Sequence, residues 1–266
     1  MHAYRSGPPP TRVAVAARTR AGAKHKSNLD AYLISDFEAY RAGDHASLCE
    51  QVTGRAGVAL AVLSGHFLDW NRNPSQADRA AAQGFKITRA AGDALAASFA
   101  SAAPPLTDGE LRGRLAHAVT AAGHAVAEAA HDPRFIDTAA SCTLAIMARD
   151  RLEVIQAGET RAYRMRDRRL EWISVGVRHG GVDASRPPPL GVPAPALPPL
   201  YSYDLRLGDT VVLCSRGVAS TLEERRIEGI LLAAASLDGA AQAMVEEAGI
   251  QRSEHPLTVV LAALLE

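Results

Sequence analysis

The sequence has little that would adapt it to an oxidising, membrane or polyanionic environment. Its three cysteines, Cys49, Cys142 and Cys214, are far apart and odd in number. They lack the C-x-x-C spacing of a structural zinc site, which argues against a disulfide framework and for reduced, mostly buried thiols. That usage points to the cytoplasm. Charge of one sign is also missing, since 29 Lys and Arg balance 29 Asp and Glu. No global field draws the chain to nucleic acid or to an anionic membrane. No apolar run is long enough to span a bilayer. Pro8, Pro9 and Pro10 stand where an export signal needs an unbroken apolar core, and Arg12, Arg18 and Arg20 interrupt the next ten residues.

What is present is the composition of an ordinary soluble protein, 47% hydrophobic and 22% charged over 266 residues. Residues 1–10 are expected to form a disordered leader, because consecutive prolines neither donate hydrogen bonds nor tolerate helix. One domain is expected over 11–266.

The chain reads first as strands, at 11–18, 31–34 and the almost wholly apolar 57–65. Two alanine-rich helices come next, over 76–100 and 106–130, the second opened by a Thr107/Glu110 capping box and divided from the first by Pro104 and Pro105. Short strands at 141–148, 152–158, 160–166 and 170–174 read as an antiparallel meander. After a Gly/Pro-rich loop, residues 202–217 give two strands around a Gly208–Asp209 turn. Helices are expected at about 222–235, with a Thr221/Glu224 capping box, and at 237–248. The last strand is 257–265. Strands, a helix pair, strands, a helix pair and a final strand form neither a βαβ series nor an all-β one. The expected architecture is α+β, a four-layer αββα sandwich in which two antiparallel sheets pack face to face and a helix pair covers each outer face.

Six short strings, in order, carry a resemblance. They are Gly22-Ala23-Lys24-His25-Lys26-Ser27-Asn28-Leu29-Asp30-Ala31, the strand ending in Ser64-Gly65-His66-Phe67-Leu68, Ala140-Ser141-Cys142-Thr143-Leu144, Gly158-Glu159-Thr160-Arg161-Ala162-Tyr163, Gly208 to Val218, and His255 to Leu261. Together they resemble G-x-x-R-x-x-N-E-D-A, D-G-H-G-G, S-G-S/T-T-A, G-D-S-R-A-Y, G-D-x-x-L-L-C-S-D-G-L and D-N-x-T-V-V-V of the metal-dependent serine/threonine protein phosphatases (PPM, type 2C). The likeness runs from about Thr11 to the C-terminus, and that family is itself an αββα sandwich.

The resemblance implies a site where carboxylates hold two Mg²⁺ or Mn²⁺ ions that bind phosphoryl oxygens and activate water. Carried over position by position, the family's Glu is Leu29 and its Asp residues are Ser64, Arg216 and His255. Its phosphate-holding Arg is His25. Asp30 and the backbone carbonyl of Gly65 remain. A guanidinium about 5 Å from a divalent ion costs roughly 6–7 kcal/mol at an effective dielectric near 20, which is four to five decades of affinity. The expectation is therefore a catalytically inactive pseudophosphatase without a resident metal. It would act as a binding or regulatory protein in phospho-signalling, with a kinase or phosphoprotein as partner. The alternative is a weakly active or atypical metal-dependent phosphatase.

His25, Asp30, Ser64, Gly65, His66, Arg216 and His255 line the expected vestigial site. Arg216, His25, His66 and His255 are candidates to hold an anion such as phosphate. Equally, Arg216 is a candidate to pair with Asp30 as a plug in the empty metal site. Three histidines would make a zinc site if they converged, and Glu254 and Asp69 are candidate substitutes for lost ligands. Cys214 lacks an Arg six residues on, which excludes cysteine-phosphatase chemistry. Gly158, Gly208 and Gly217 read as turn glycines, and Arg161 and Tyr163 as supports of the sheet. The flap subdomain that the family places after the strand ending near Ser174 is reduced here to the loop 175–191.

Overall fold

A computed structural model describes residues 10–23, 28–37, 40–43, 48–54, 57–67, 77–100, 107–130, 138–174, 187–193 and 197–265, leaving aside the side chains of 40–43, 66–67 and 77–82. Residues 1–9 of the leader and 175–186 of the loop 175–191 lie outside the described residues, as do His25, Asp69 and the His66 side chain.

The elements run in order as β1 (Thr11–Arg20), β2 (Asp30–Ser35), β3 (Tyr40–Gly43), β4 (Leu48–Gly54), β5 (Val58–Phe67), α1 (Ala77–Phe99), α2 (Asp108–Ala129), β6 (Thr138–Ala148), β7 (Arg151–Ala157), β8 (Arg161–Arg166), β9 (Arg169–Trp172), β10 (Leu200–Asp204), β11 (Thr210–Cys214), α3 (Arg216–Ala219), α4 (Glu224–Ala233), α5 (Leu237–Ile250) and β12 (Leu257–Leu264). They form two six-stranded antiparallel sheets, β4-β1-β12-β11-β8-β9 and β10-β7-β6-β5-β2-β3. Helices α1 and α2 cover the second sheet, while α5 lies on β1 and β12 of the first with α4 beside it. The expected four layers are present.

Three apolar layers hold them. Leu63, Leu144 and Ile146 of the second sheet meet Leu95, Phe99, Leu115 and Val126 of its helices. Val13, Val15, Leu60, Val62, Leu213 and Val260 fill the space between the sheets. Val212, Val259 and Leu261 meet Ile227, Met244 and Ala248 on the far side. Strand alternation explains how neighbours such as Val259 and Val260 serve different layers. Strands β5, β6 and β12 therefore lack polar faces because each of their faces is covered.

Several expectations change. The 141–174 segment is not one meander: β6 and β7 pair in the second sheet, β8 and β9 in the first, and the Gly158–Glu159 turn carries the chain between sheets. Gly158 has φ 76°, and a Cβ there would lie 2.1 Å from the Ser141 hydroxyl, so the turn needs glycine. Likewise β10 and β11 belong to different sheets and do not form a hairpin. Gly208, at φ 88°, does mark a turn, but Gly217 lies inside α3, where an added Cβ would sit 2.1 Å from the Pro256 carbonyl oxygen. Its smallness serves close packing. The Thr107 capping box forms as expected, whereas α4 starts from Glu223 without a side-chain cap, and the Thr221 hydroxyl donates instead to the Gly217 carbonyl.

Candidate functional site

The inner faces of the two sheets are apolar along most of their length and turn polar at one end. Continuing the alternation of Ile34 and Tyr32 on β2 brings Asp30 inward, and the alternation of Leu60 and Val62 on β5 brings Ser64 inward. The two are directly opposed in the β2–β5 register. From the other sheet, Val260 and Ala262 imply Thr258 inward, and Val211 and Leu213 imply Ser215. The result is one buried carboxylate among hydroxyls: Asp30 is 1% exposed and Ser64 5%, while Ser215 and Thr258 are fully buried.

The hydroxyls approach Asp30 without satisfying it. Ser215 Oγ donates to the Pro256 carbonyl at 3.1 Å and accepts from the Thr258 N–H at 3.0 Å. Thr258 Oγ1 is shared with Thr19 Oγ1 at 2.6 Å, and Asn28 Nδ2 donates to the same Thr19 oxygen at 2.7 Å. Asn28 also accepts the Asp30 N–H at 3.1 Å. Neither Asp30 carboxylate oxygen has a hydrogen bond of full geometry. Burial is therefore the larger influence and pushes its pKa up to about 6. Ser64, Ser215 and Thr258, the hydroxyls beside it, hold the rise in check.

Gly65 comes directly after Ser64 and packs against α1. Its N–H donates to the Leu29 carbonyl at 3.0 Å, and Thr88 Oγ1 donates to the same oxygen at 2.9 Å. A Cβ at Gly65 would meet the Gly84 carbonyl and Thr88 Oγ1 at 2.7 Å. Leu29 is 1% exposed. Next in the chain after Ser215, Arg216 opens α3 and pairs with Glu159 at 2.7 Å, the two side chains being 42% and 20% exposed. The expected Arg216–Asp30 pair is thus replaced by Arg216–Glu159, because Asp30 sits deeper, within the inner face. That carboxylate partner also takes up charge on which anion binding at Arg216 would draw. His255 lies before β12, and its carbonyl packs against Gly22 and Gly217.

The structure therefore brings Asp30, Ser64 and Gly65 together, with Arg216 beyond them on the chain from Ser215. Glu159, Ser215, Thr258, Thr19 and Asn28 are additions that sequence reasoning did not single out for roles. Inward alternation from Val260 and Leu213 was the signal for Thr258 and Ser215. Arg161 and Tyr163 do support the sheet: the Arg161 guanidinium lies 4.2 Å over the Trp172 ring, and Tyr163 is fully buried. An open groove of about 380 Å³, bordered by Arg161, Thr221, Glu224 and Arg225, does not include Asp30.

Mg²⁺ and Mn²⁺ are hard cations that need several oxygen ligands, mostly anionic. Among the described residues no three His, Cys, Asp or Glu side chains are grouped to hold a metal ion. Among the described residues this cluster offers a single carboxylate ringed by neutral hydroxyls, which does not fit a pair of such ions. No described helix is long and apolar enough to cross a membrane.

No protein-family model and no curated protein matches the sequence. Among solved structures, the chain is similar to the Mycobacterium tuberculosis serine/threonine phosphatase PstP/Ppp, with TM-score 0.71 and 20% identity over 96% of this chain and 100% of that one. A structure of the PstP catalytic domain in complex with two manganese ions matches to the same extent. The S. agalactiae serine/threonine phosphatase gives TM-score 0.72 and 15% identity over 95% and 100% of the two chains. PppA of Pseudomonas aeruginosa, a key regulatory component of T6SS, gives 0.69 and 17% over 95% and 98%. Strand order, sheet pairing and these likenesses agree: the chain has the fold of the PPM-type serine/threonine phosphatases.

Proposed function

We propose that the chain is a catalytically inactive relative of these phosphatases, a pseudophosphatase that uses the fold as a binding or regulatory module in phospho-signalling. The observation that carries this reading is the donor set at the polar end of the sandwich. Among the described residues Asp30 is the one carboxylate of this buried cluster, opposed by Ser64, and the remaining counterparts of family ligands are Leu29, Arg216 and His255. Arg216 is exposed enough for solvent to screen its repulsion. The reading therefore rests on the missing carboxylates more than on the added guanidinium. Without a bound ion pair, the site has no means to lower the pKa of an attacking water or to neutralise a phosphoryl group. A protein partner such as a kinase or phosphoprotein is then the natural ligand, met through the surface of the domain.

A second reading, a weakly active metal-dependent phosphatase, is favoured by one observation: the Glu159 N–H donates to Ser141, the residue opposite Ser64, which sets another carboxylate in the turn beyond the cluster. Calorimetric titration with Mn²⁺, run beside a p-nitrophenyl phosphate assay, separates the two. The proposal expects neither binding nor turnover. Turnover that disappears in Asp30→Ala establishes the second reading.

A further inference from the structure

We propose that the Asp30 cluster holds a single monovalent alkali cation, Na⁺ or K⁺, between the two sheets. This rests on the reading above that no divalent pair occupies this end, and it names what balances the charge there instead. Among the described residues no hydrogen-bond donor reaches either Asp30 carboxylate oxygen with full geometry, and both oxygens are buried. Solvent cannot screen a carboxylate so placed, and an ionised group without a partner is costly inside a fold. Burial raises its pKa only to about 6. Above neutral pH the proton therefore leaves and one negative charge stays behind, which calls for one positive charge within the cluster.

The oxygens around Asp30 suit such an ion. Ser64 stands directly across from it in the β2–β5 register, while Ser215 and Thr258 come from the ends of β11 and β12 in the opposing sheet. All three hydroxyls lie beside the carboxylate. Ser215 Oγ donates to the Pro256 carbonyl at 3.1 Å and accepts the Thr258 N–H at 3.0 Å, which commits its proton and leaves it one lone pair. Thr258 is fixed through its 2.6 Å contact with Thr19, an oxygen that Asn28 Nδ2 holds in turn at 2.7 Å. The donors are thus placed before any ion arrives. Both carboxylate oxygens and the three hydroxyl oxygens form a shell in which one ligand alone carries charge. Mainly neutral oxygens can replace the hydration shell of an alkali ion, whereas Mg²⁺ and Mn²⁺ need more anionic partners.

The test uses the full chain and its Asp30→Asn and Ser64→Ala variants. Thermal midpoints are measured by circular dichroism at pH 8 in sodium, potassium and choline chloride at matched ionic strength, so that screening is equal and specific binding differs. The wild-type midpoint is expected to rise saturably with Na⁺ or K⁺ over choline, by about 5–10 °C at a hundredfold excess over the dissociation constant. In choline, Asp30→Asn melts above the wild type, and the alkali ion narrows that gap because the variant does not respond to it. Ser64→Ala keeps the carboxylate but loses one ligand, so its response moves to higher ion concentration. Midpoints that coincide in the three salts, or an Asp30→Asn variant that responds like the wild type, overturn the alkali site and leave the pseudophosphatase reading standing. Mn²⁺ uptake with turnover of p-nitrophenyl phosphate overturns both.

Discussion

Asp30 is the residue on which most of the site's physics turns. Its folded-state pKa of about 6 lies above the ordinary value of 3.8, so the folded chain holds the proton more tightly than the unfolded chain does. Below pH about 4 the carboxyl is neutral in both states and has no effect on stability. As pH rises from about 4 to about 6 the unfolded chain ionises first, and stability falls by about 3 kcal/mol in total before levelling off. Asp30→Asn removes that dependence. The variant is expected to match the wild type near pH 4 and to exceed it by roughly 1–3 kcal/mol at pH 8 in urea unfolding. A difference that does not change with pH would contradict the account. The residue itself was legible as the retained member of the N-x-D string. Its burial among hydroxyls was not, because Ser215 and Thr258 come from the other sheet, and the Ser215 bond to the Pro256 carbonyl is a contact that only the folded arrangement reveals.

At the scale of elements, close approaches between backbone and helix position the site. Gly65→Ala is expected to destabilise by about 1–3 kcal/mol, since its Cβ would press on the Gly84 carbonyl and force α1 from β5. A thermal midpoint equal to wild type would show that α1 yields freely. Thr107→Ala removes the side-chain half of the α2 capping box, leaving the backbone N–H at 107 on the Glu110 carboxylate, and should cost about 1 kcal/mol, measurable by chemical denaturation. The long helices and the apolar strands β5, β6 and β12 were readable from periodicity. Strand β4 was not, because its burial alternates along a polar string, LCEQVTG, at the edge of a sheet. The separation of β7 from β8 was also hidden, since a short Gly-containing turn serves a hairpin and a sheet-to-sheet crossing equally well.

For the whole molecule, the order of elements and six motif strings pointed to the αββα fold, and structures of 15–20% identity that cover nearly all of both chains share it. The partner of Arg216 was beyond reach of that reasoning, as Glu159 comes opposite it only through the β11–β8 register, continued past Cys214 and Arg161, and those two strands are far apart in the chain. The central claim is that this end of the sandwich lacks the charge to hold a divalent pair, and calorimetric titration of the intact protein with Mn²⁺ tests it most directly. The account predicts no saturable heat up to about 1 mM, a concentration that corresponds to only about 4 kcal/mol of binding free energy. Saturable uptake of two Mn²⁺ ions per chain, lost in Asp30→Ala, would contradict it.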